Sequence, residues 1–166
     1  MRIVVVGARG QLGRALVQEF RKAGHRVLEF DRSKVDLLDS AAVTTALARD
    51  RPDAIVNAAA YNAVDAAEDH PREALEANAM AVRSLARAAR AFEAALVHYS
   101  TDFVFDGTAD APYEETQAPN PRSVYGTSKM IGEWLAADVP RSYVLRVESL
   151  FGSAFGGGER GPWPGS

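Results

Sequence analysis

The chain has 166 residues, 47% of them hydrophobic, with a formal net charge of −3 and no cysteine. Disulfides and thiolate metal sites are therefore excluded, and the absence of a basic run argues against nucleic acid as a partner. The opening MRIVVVGARGQLG is too short in apolar residues for a signal peptide, and nothing approaches the ~20 apolar residues of a membrane span. A soluble, cytoplasmic protein with one core and no membrane association is expected.

In chain order, apolar runs of strand length alternate with helical patterns. RIVVV (2–6), RVLEF (26–30), DAIVN (53–57), AALVHYS (94–100) and SYVLRV (142–147) read as strands, several of them nearly continuous in apolar residues, as strands covered on both faces are. QLGRALVQEFRKAG (11–24), SAAVTTALARD (40–50) and PREALEANAMAVRSLARAARAF (71–92) read as helices. Gly24 reads as a helix stop and Pro71 as a first-turn proline, and Ser123 can cap a further helix that carries Tyr125 and Lys129. This alternation predicts an α/β doubly wound parallel sheet of the Rossmann type, in the order 3-2-1-4-5, over residues 1–152. The polar segment 101–122 is too long for an ordinary connection and is expected to be functional. After Phe151, GSAFGGGERGPWPGS has no periodicity, and 153–166 is expected to be a disordered tail.

The first strand runs into GARGQLG, with Gly7, Gly10 and Gly13 at three-residue intervals before a helix. The first glycine permits a tight turn, the next lets backbone approach a pyrophosphate, and the last lets the helix pack closely on the strand. The helix N-terminus then offers free N–H groups and a positive dipole to phosphates. Asp31 closes the second strand, where an acid can accept hydrogen bonds from an adenosine ribose and favour NAD(H). Arg32 beside it, or Arg9 in the glycine loop, can instead meet a 2′-phosphate and favour NADP(H). The sequence leaves this choice open.

In the expected strand order the first and fourth strands are neighbours. The glycine loop and Ser100-Thr101 then leave the sheet at one edge, where ligands of such folds bind. Tyr125 and Lys129 lie one helical turn apart and join the same crevice. Reduction of a ketone by hydride leaves charge on oxygen, which needs a proton. An unperturbed phenol has a pKa near 10, and a neighbouring ammonium lowers it toward the working range. Thr101 can hold the carbonyl oxygen.

These residues carry a family resemblance. GxxGxxG, NAAA (57–60), STDFVFDG (100–107) and the YxxxK of Tyr125 and Lys129 resemble the pattern of extended short-chain dehydrogenases/reductases, over residues 1 to about 152. Within that family the chain is most similar to the dTDP-4-dehydrorhamnose reductases, which reduce a nucleotide-linked 4-keto-6-deoxysugar. The resemblance implies that Tyr125 is the proton donor, Lys129 its activator and a ribose ligand, and Thr101 the third catalytic residue. It implies cofactor contacts at Gly7, Gly10, Gln11, Leu12, Asp31, Arg32, Asp36, Leu37, Ala59, Ala60 and Asn62.

Related 4,6-dehydratases carry Asp-Glu after the catalytic threonine. Here Asp102 is followed by Phe103, which cannot shuttle a proton, so reduction is favoured over dehydration; Asp102 and Phe103 become substrate-side candidates. Some members bridge a dimer through a metal held by a glutamate after the glycine loop. This chain has Arg14-Ala15 there, so no metal is expected, and His25, His70 and His98 are scattered singly. The family continues beyond this point with the half that builds most of the sugar pocket, so the substrate subdomain is expected to be largely absent. Sheet-edge and core-face exposure after the fifth strand then predicts a homo-oligomer or a covering partner chain. A non-catalytic dinucleotide-binding or regulatory module of the same fold is the alternative.

Overall fold

All five apolar runs form strands of one parallel sheet, and the helical patterns lie between them. The structure, a computed structural model, describes residues 1–31 and 33–150, so Arg32 and the expected tail lie outside it. The elements run β1 (Arg2–Val6), α1 (Gln11–Lys22), β2 (Arg26–Phe30), α2 (Ser40–Ala48), β3 (Ala54–Asn57), α3 (Ala66–Asp69) and α4 (Pro71–Leu75). A π-helical turn (Glu76–Met80) leads into α5 (Ala81–Phe92). Then come β4 (Ala95–Thr101), a 3-10 turn (Asp102–Val104), α6 (Val124–Ala137) and β5 (Ser142–Val147).

Local chemistry sets the boundaries. Gly24 adopts φ +79° just past α1, where a left-handed residue ends a helix at little cost. The Asp39 carboxylate accepts from the N–H groups of Ala41 and Ala42 and starts α2. Pro71 opens α4, and the Ser123 hydroxyl accepts from Gly126 N at 3.0 Å and caps α6. The helix expected over 71–92 is helical without a break in the chain but carries the π turn, which buries Asn78 and Ala79.

Alternation along β1 accounts for its unbroken apolar run. Val4 and Val6 face a core built with Val43, Leu47, Ile55, Val82, Leu85 and Leu96, under α2, α5 and α6. Ile3 and Val5 face a second core with Val17 of α1, Ala54 and Val56.

The strand order is β2-β1-β3-β4-β5, not the expected 3-2-1-4-5. The chain crosses back over β1 through α2, so β3 lies between β1 and β4. The residues dictate this. AIVN of β3 is buried throughout and needs neighbours on both sides, whereas RVLEF of β2 places Arg26 and Glu29 at an exposed margin. The switch point therefore falls between β1 and β3. At the other margin, Val144 of β5 packs into the core under α6, while Tyr143 (59% exposed) and Leu145 (42%) point to the face that α1 does not reach.

Candidate active site

The carboxyl ends of β1, β3 and β4 form one edge. Gly7, at φ +77°, turns the chain out of β1, and a Cβ there would lie 2.7 Å from Ala59 N and 2.9 Å from Ala58 O. Only glycine fits where the β1 and β3 exits touch. Gly10 precedes α1 as a cap without a side chain, so among the described residues the N–H groups of Gln11 and Leu12 have no capping partner at a twelve-residue helix's positive end. A bare, glycine-walled helix start of this kind fits a pyrophosphate. Asn57, buried at the end of β3, accepts from Ala59 N at 3.1 Å and so fixes the segment that carries Ala59, Ala60 and Asn62 beside the glycine loop.

At the end of β2, Asp31 accepts from Ser33 N at 2.8 Å, and Arg9 Nε lies 2.8 Å from its second oxygen. The Ser33 hydrogen bonds first, and Arg9 after them, hold the Asp31 carboxyl below the usual carboxylate range. Arg9 is 75% exposed, and an ion pair so solvated contributes little, leaving the guanidinium free to meet an added anion. Asp36 and Leu37 follow in the turn before α2. Asp36 accepts from Leu38 N at 2.9 Å, and Leu37 packs on the core.

Thr101, 5% exposed, ends β4. Its hydroxyl accepts from Phe103 N at 3.2 Å and donates to Asp102 at 3.0 Å. Gly126 lets this turn press against α6, since a Cβ there would lie 2.3 Å from Phe103 O. The half-exposed Phe103 ring then meets Tyr125 edge-on, with centroids 5.8 Å apart and planes at 80°. Tyr125 is 9% exposed, packed with Ala67 and Ala74, and one turn before Lys129.

The expected effect of Lys129 on Tyr125 is not what the geometry gives. Lys129 Nζ donates to Tyr99 O at 2.6 Å, and burial brings its pKa down to about 8, against an upward pull from Glu133. Burial pushes the Tyr125 phenol up, the Thr101 hydroxyl pulls it back, and the Asp102 carboxylate adds to the rise. The ammonium is thus claimed by a β4 carbonyl, and the phenol is protonated at neutral pH.

Several residues that tie the site together carry no obvious mark in the sequence. Asn78, on the π turn, accepts from Tyr61 N (2.8 Å) and donates to Tyr61 O (3.0 Å) and to Ser128 Oγ (2.9 Å). Ser128 in turn donates to Tyr125 O at 2.7 Å. The segment after β3 is thereby joined to the helix of Tyr125 and Lys129. The only signal was a lone asparagine in the alanine-rich run EANAM. His98, fully buried, faces Asn57 Nδ2 through Nδ1 at 3.1 Å, and its Nε2 and the Ser100 hydroxyl have no partner among the described residues. Also among the described residues, no cluster of acids and histidines could hold a metal, and no helix is long and apolar enough to cross a membrane.

The family described as the RmlD substrate binding domain matches residues 1–159. The chain belongs to this family. Its relatives include a dTDP-4-dehydrorhamnose reductase of Streptomyces griseus, 41% identical over 154 residues that make up 92% of this chain and 51% of that protein. Among solved structures, the dTDP-4-dehydrorhamnose reductase of Bacillus anthracis in complex with NADP superposes with a TM-score of 0.89 at 33% identity, covering 93% of this chain and 56% of that one. The UDP-glucose 4-epimerase of Thermus thermophilus in complex with NAD gives a TM-score of 0.78 at 25% identity, covering 88% and 54%. This member of the RmlD family spans about half the length of the curated relatives it matches.

Proposed function

We propose that the chain is an NADPH- or NADH-dependent reductase acting on a nucleotide-linked 4-keto-6-deoxysugar, in the manner of the dTDP-4-dehydrorhamnose reductases among its relatives. The observation that carries this reading is the meeting, at one sheet edge, of a bare glycine-walled helix start with Thr101, Tyr125 and Lys129. Gly7, Gly10, Gln11 and Leu12 would hold the pyrophosphate, and Ala59, Ala60 and Asn62 the inner part of the dinucleotide. Asp31, Arg9, Arg32, Asp36 and Leu37 would serve the adenosine end. The reduced nicotinamide, when bound, supplies hydride. Tyr125 delivers the proton to the carbonyl oxygen, and Thr101, its hydroxyl turned from Asp102, holds that oxygen in line. Lys129 keeps a buried positive charge beside them and has two further N–H donors for a ribose. Asp102 and Phe103 lie on the substrate side, and phenylalanine at 103 leaves reduction without dehydration.

The test is oxidation of NADPH by the purified chain in the presence of the dTDP-linked keto-sugar. Tight dinucleotide binding with no oxidation would instead support a non-catalytic dinucleotide-binding module.

The pairing of Arg9 with Asp31 favours NADPH. In Arg9→Ala, NADPH affinity is expected to fall roughly tenfold or more, the worth of a charge-assisted hydrogen bond. NADH affinity should hold or improve as Asp31 is released toward the ribose. Titrations of both dinucleotides check this; equal losses would remove Arg9 from 2′-phosphate recognition. The exposed Tyr143 and Leu145 beside the β5 edge support self-association through that face, and a monomer in sedimentation at high concentration would refute it.

A further inference from the structure

We propose that Glu133 and Arg146 are a positioning pair, which fixes a buried negative charge one turn along α6 from Lys129 and ties α6 to the loop 105–115. Glu133 lies one turn beyond Lys129 on α6 and is 7% exposed at its side chain. Its two oxygens accept from Arg146 Nε at 3.0 Å and Nη2 at 2.8 Å, a two-pronged bond that a buried carboxylate needs. Arg146 sits on β5 opposite Ser100, next to the Thr101 end of β4.

The other side of the same guanidinium reaches the long loop. It lies 4.9 Å over the Phe105 ring, and Nη1 donates to Glu115 O at 3.4 Å. Phe105 stacks on Tyr113 at 4.3 Å with planes 11° apart, and the Tyr113 hydroxyl donates to Asp106 at 2.7 Å. Asp106 also accepts from Thr108 and from Asn120, so the loop is folded around one carboxylate and docked through one arginine. A shift of Arg146 moves both the loop and the counter-charge of Lys129.

Lys129 has few other charged neighbours. β4 presents the neutral His98 and the Tyr99 carbonyl, α6 presents Tyr125 and Glu133, and β5 presents Arg146 behind Glu133. The 3-10 turn contributes Asp102, which faces Tyr125, and the π turn contributes the uncharged Asn78. Glu68 binds Val124 N at the far start of α6. Among the described residues, Glu133, buried one turn along α6, is the carboxylate whose charge favours the protonated form of this buried amine.

The inference rests on the reading of Lys129 as the lysine that serves the reacting tyrosine, yet its test needs neither dinucleotide nor keto-sugar. A failed turnover assay with the titration below as expected would defeat only the reductase. The chain holds three lysines, Lys22, Lys34 and Lys129, so carbon-13 labelling of lysine gives three side-chain signals that Lys129→Arg assigns. Wild type is expected to titrate at Lys129 near 8. Glu133→Gln should lower that midpoint by about half a unit or more, and Glu133→Asp, which withdraws the charge by one methylene, by less. Arg146→Met should speed amide exchange across 105–115 roughly tenfold or more. An unmoved Lys129 midpoint in folded Glu133→Gln, or unchanged exchange in Arg146→Met, overturns the proposal. Should Glu133→Gln fail to fold, Glu133→Asp decides: a midpoint equal to wild type sinks it.

Discussion

Tyr125→Phe is expected to lower keto-sugar reduction by roughly 10²–10⁴-fold while dinucleotide affinity stays within about threefold. The substitution removes one oxygen and keeps the ring, so the packing on Ala67 and Ala74 and the edge contact with Phe103 survive. What is lost is the hydroxyl proposed above as the proton donor. Because burial pushes the phenol up, it is protonated throughout the neutral range and needs no activation to give a proton to a carbonyl oxygen. Lys129 sets the upper limit: its charged form is lost as pH rises through about 8, so the wild-type rate should fall on that side. Rate and affinity measured from pH 6 to 10 check both statements. An undiminished rate in Tyr125→Phe takes the phenol out of the chemistry.

The parts of this site that were legible in the sequence are those written locally. The glycine loop announces itself because strand, turn and helix follow within a dozen residues, and each glycine has its own steric task. YGTSK announces itself because one helical turn fixes which side chains share a face. The strand order was not local, and the expectation of adjacent first and fourth strands failed. Yet its cause was on view: the apolar run AIV of β3 belongs between neighbours on both sides, and RVLEF with Arg26 and Glu29 suits an edge. The consequence for the site is concrete, since β3 brings Asn57 and Ala59 between the glycine loop and Thr101.

Polar ties between distant segments were the illegible remainder. Asn78 and Ser128 are 50 residues apart, and Asn57 and His98 are 41 apart. Neither pair has a spacing that a helix or strand repeat could reveal. The same holds for Lys129. Its place on α6 was clear, but the claim that the Tyr99 carbonyl makes on its ammonium depends on how α6 lies along β4. Arg32 and residues 153–166 lie outside the described residues, so the expectations for them stand as they were read.

His98 makes the second large prediction: stability should drop steeply in mild acid, by about 3 kcal/mol at pH 4 beyond what a non-titrating variant loses. The ring is fully buried on β4, and burial first, then the Lys129 charge, brings its pKa down to about 3 from 6.5. The unfolded chain therefore takes up a proton between pH 6.5 and 3 that the folded chain refuses, and stability falls as pH falls across that window. Asn57 explains the refusal in atomic terms. Its Oδ1 is committed to Ala59 N, so its amide N–H groups face His98 Nδ1, which can only accept. A second ring proton would point at that donor and displace it. The strand would then release Asn57, and with it the segment that stands 2.7 Å from the Cβ position of Gly7. Dinucleotide affinity should thus decay over the same pH range as stability. Urea unfolding at pH 7, 6, 5 and 4 for wild type and His98→Gln, which keeps an acceptor and does not titrate, isolates the effect. Parallel curves would remove His98 as the cause, since the carboxylates of Asp31, Asp53 and Asp106, held below their ordinary range, act only at lower pH.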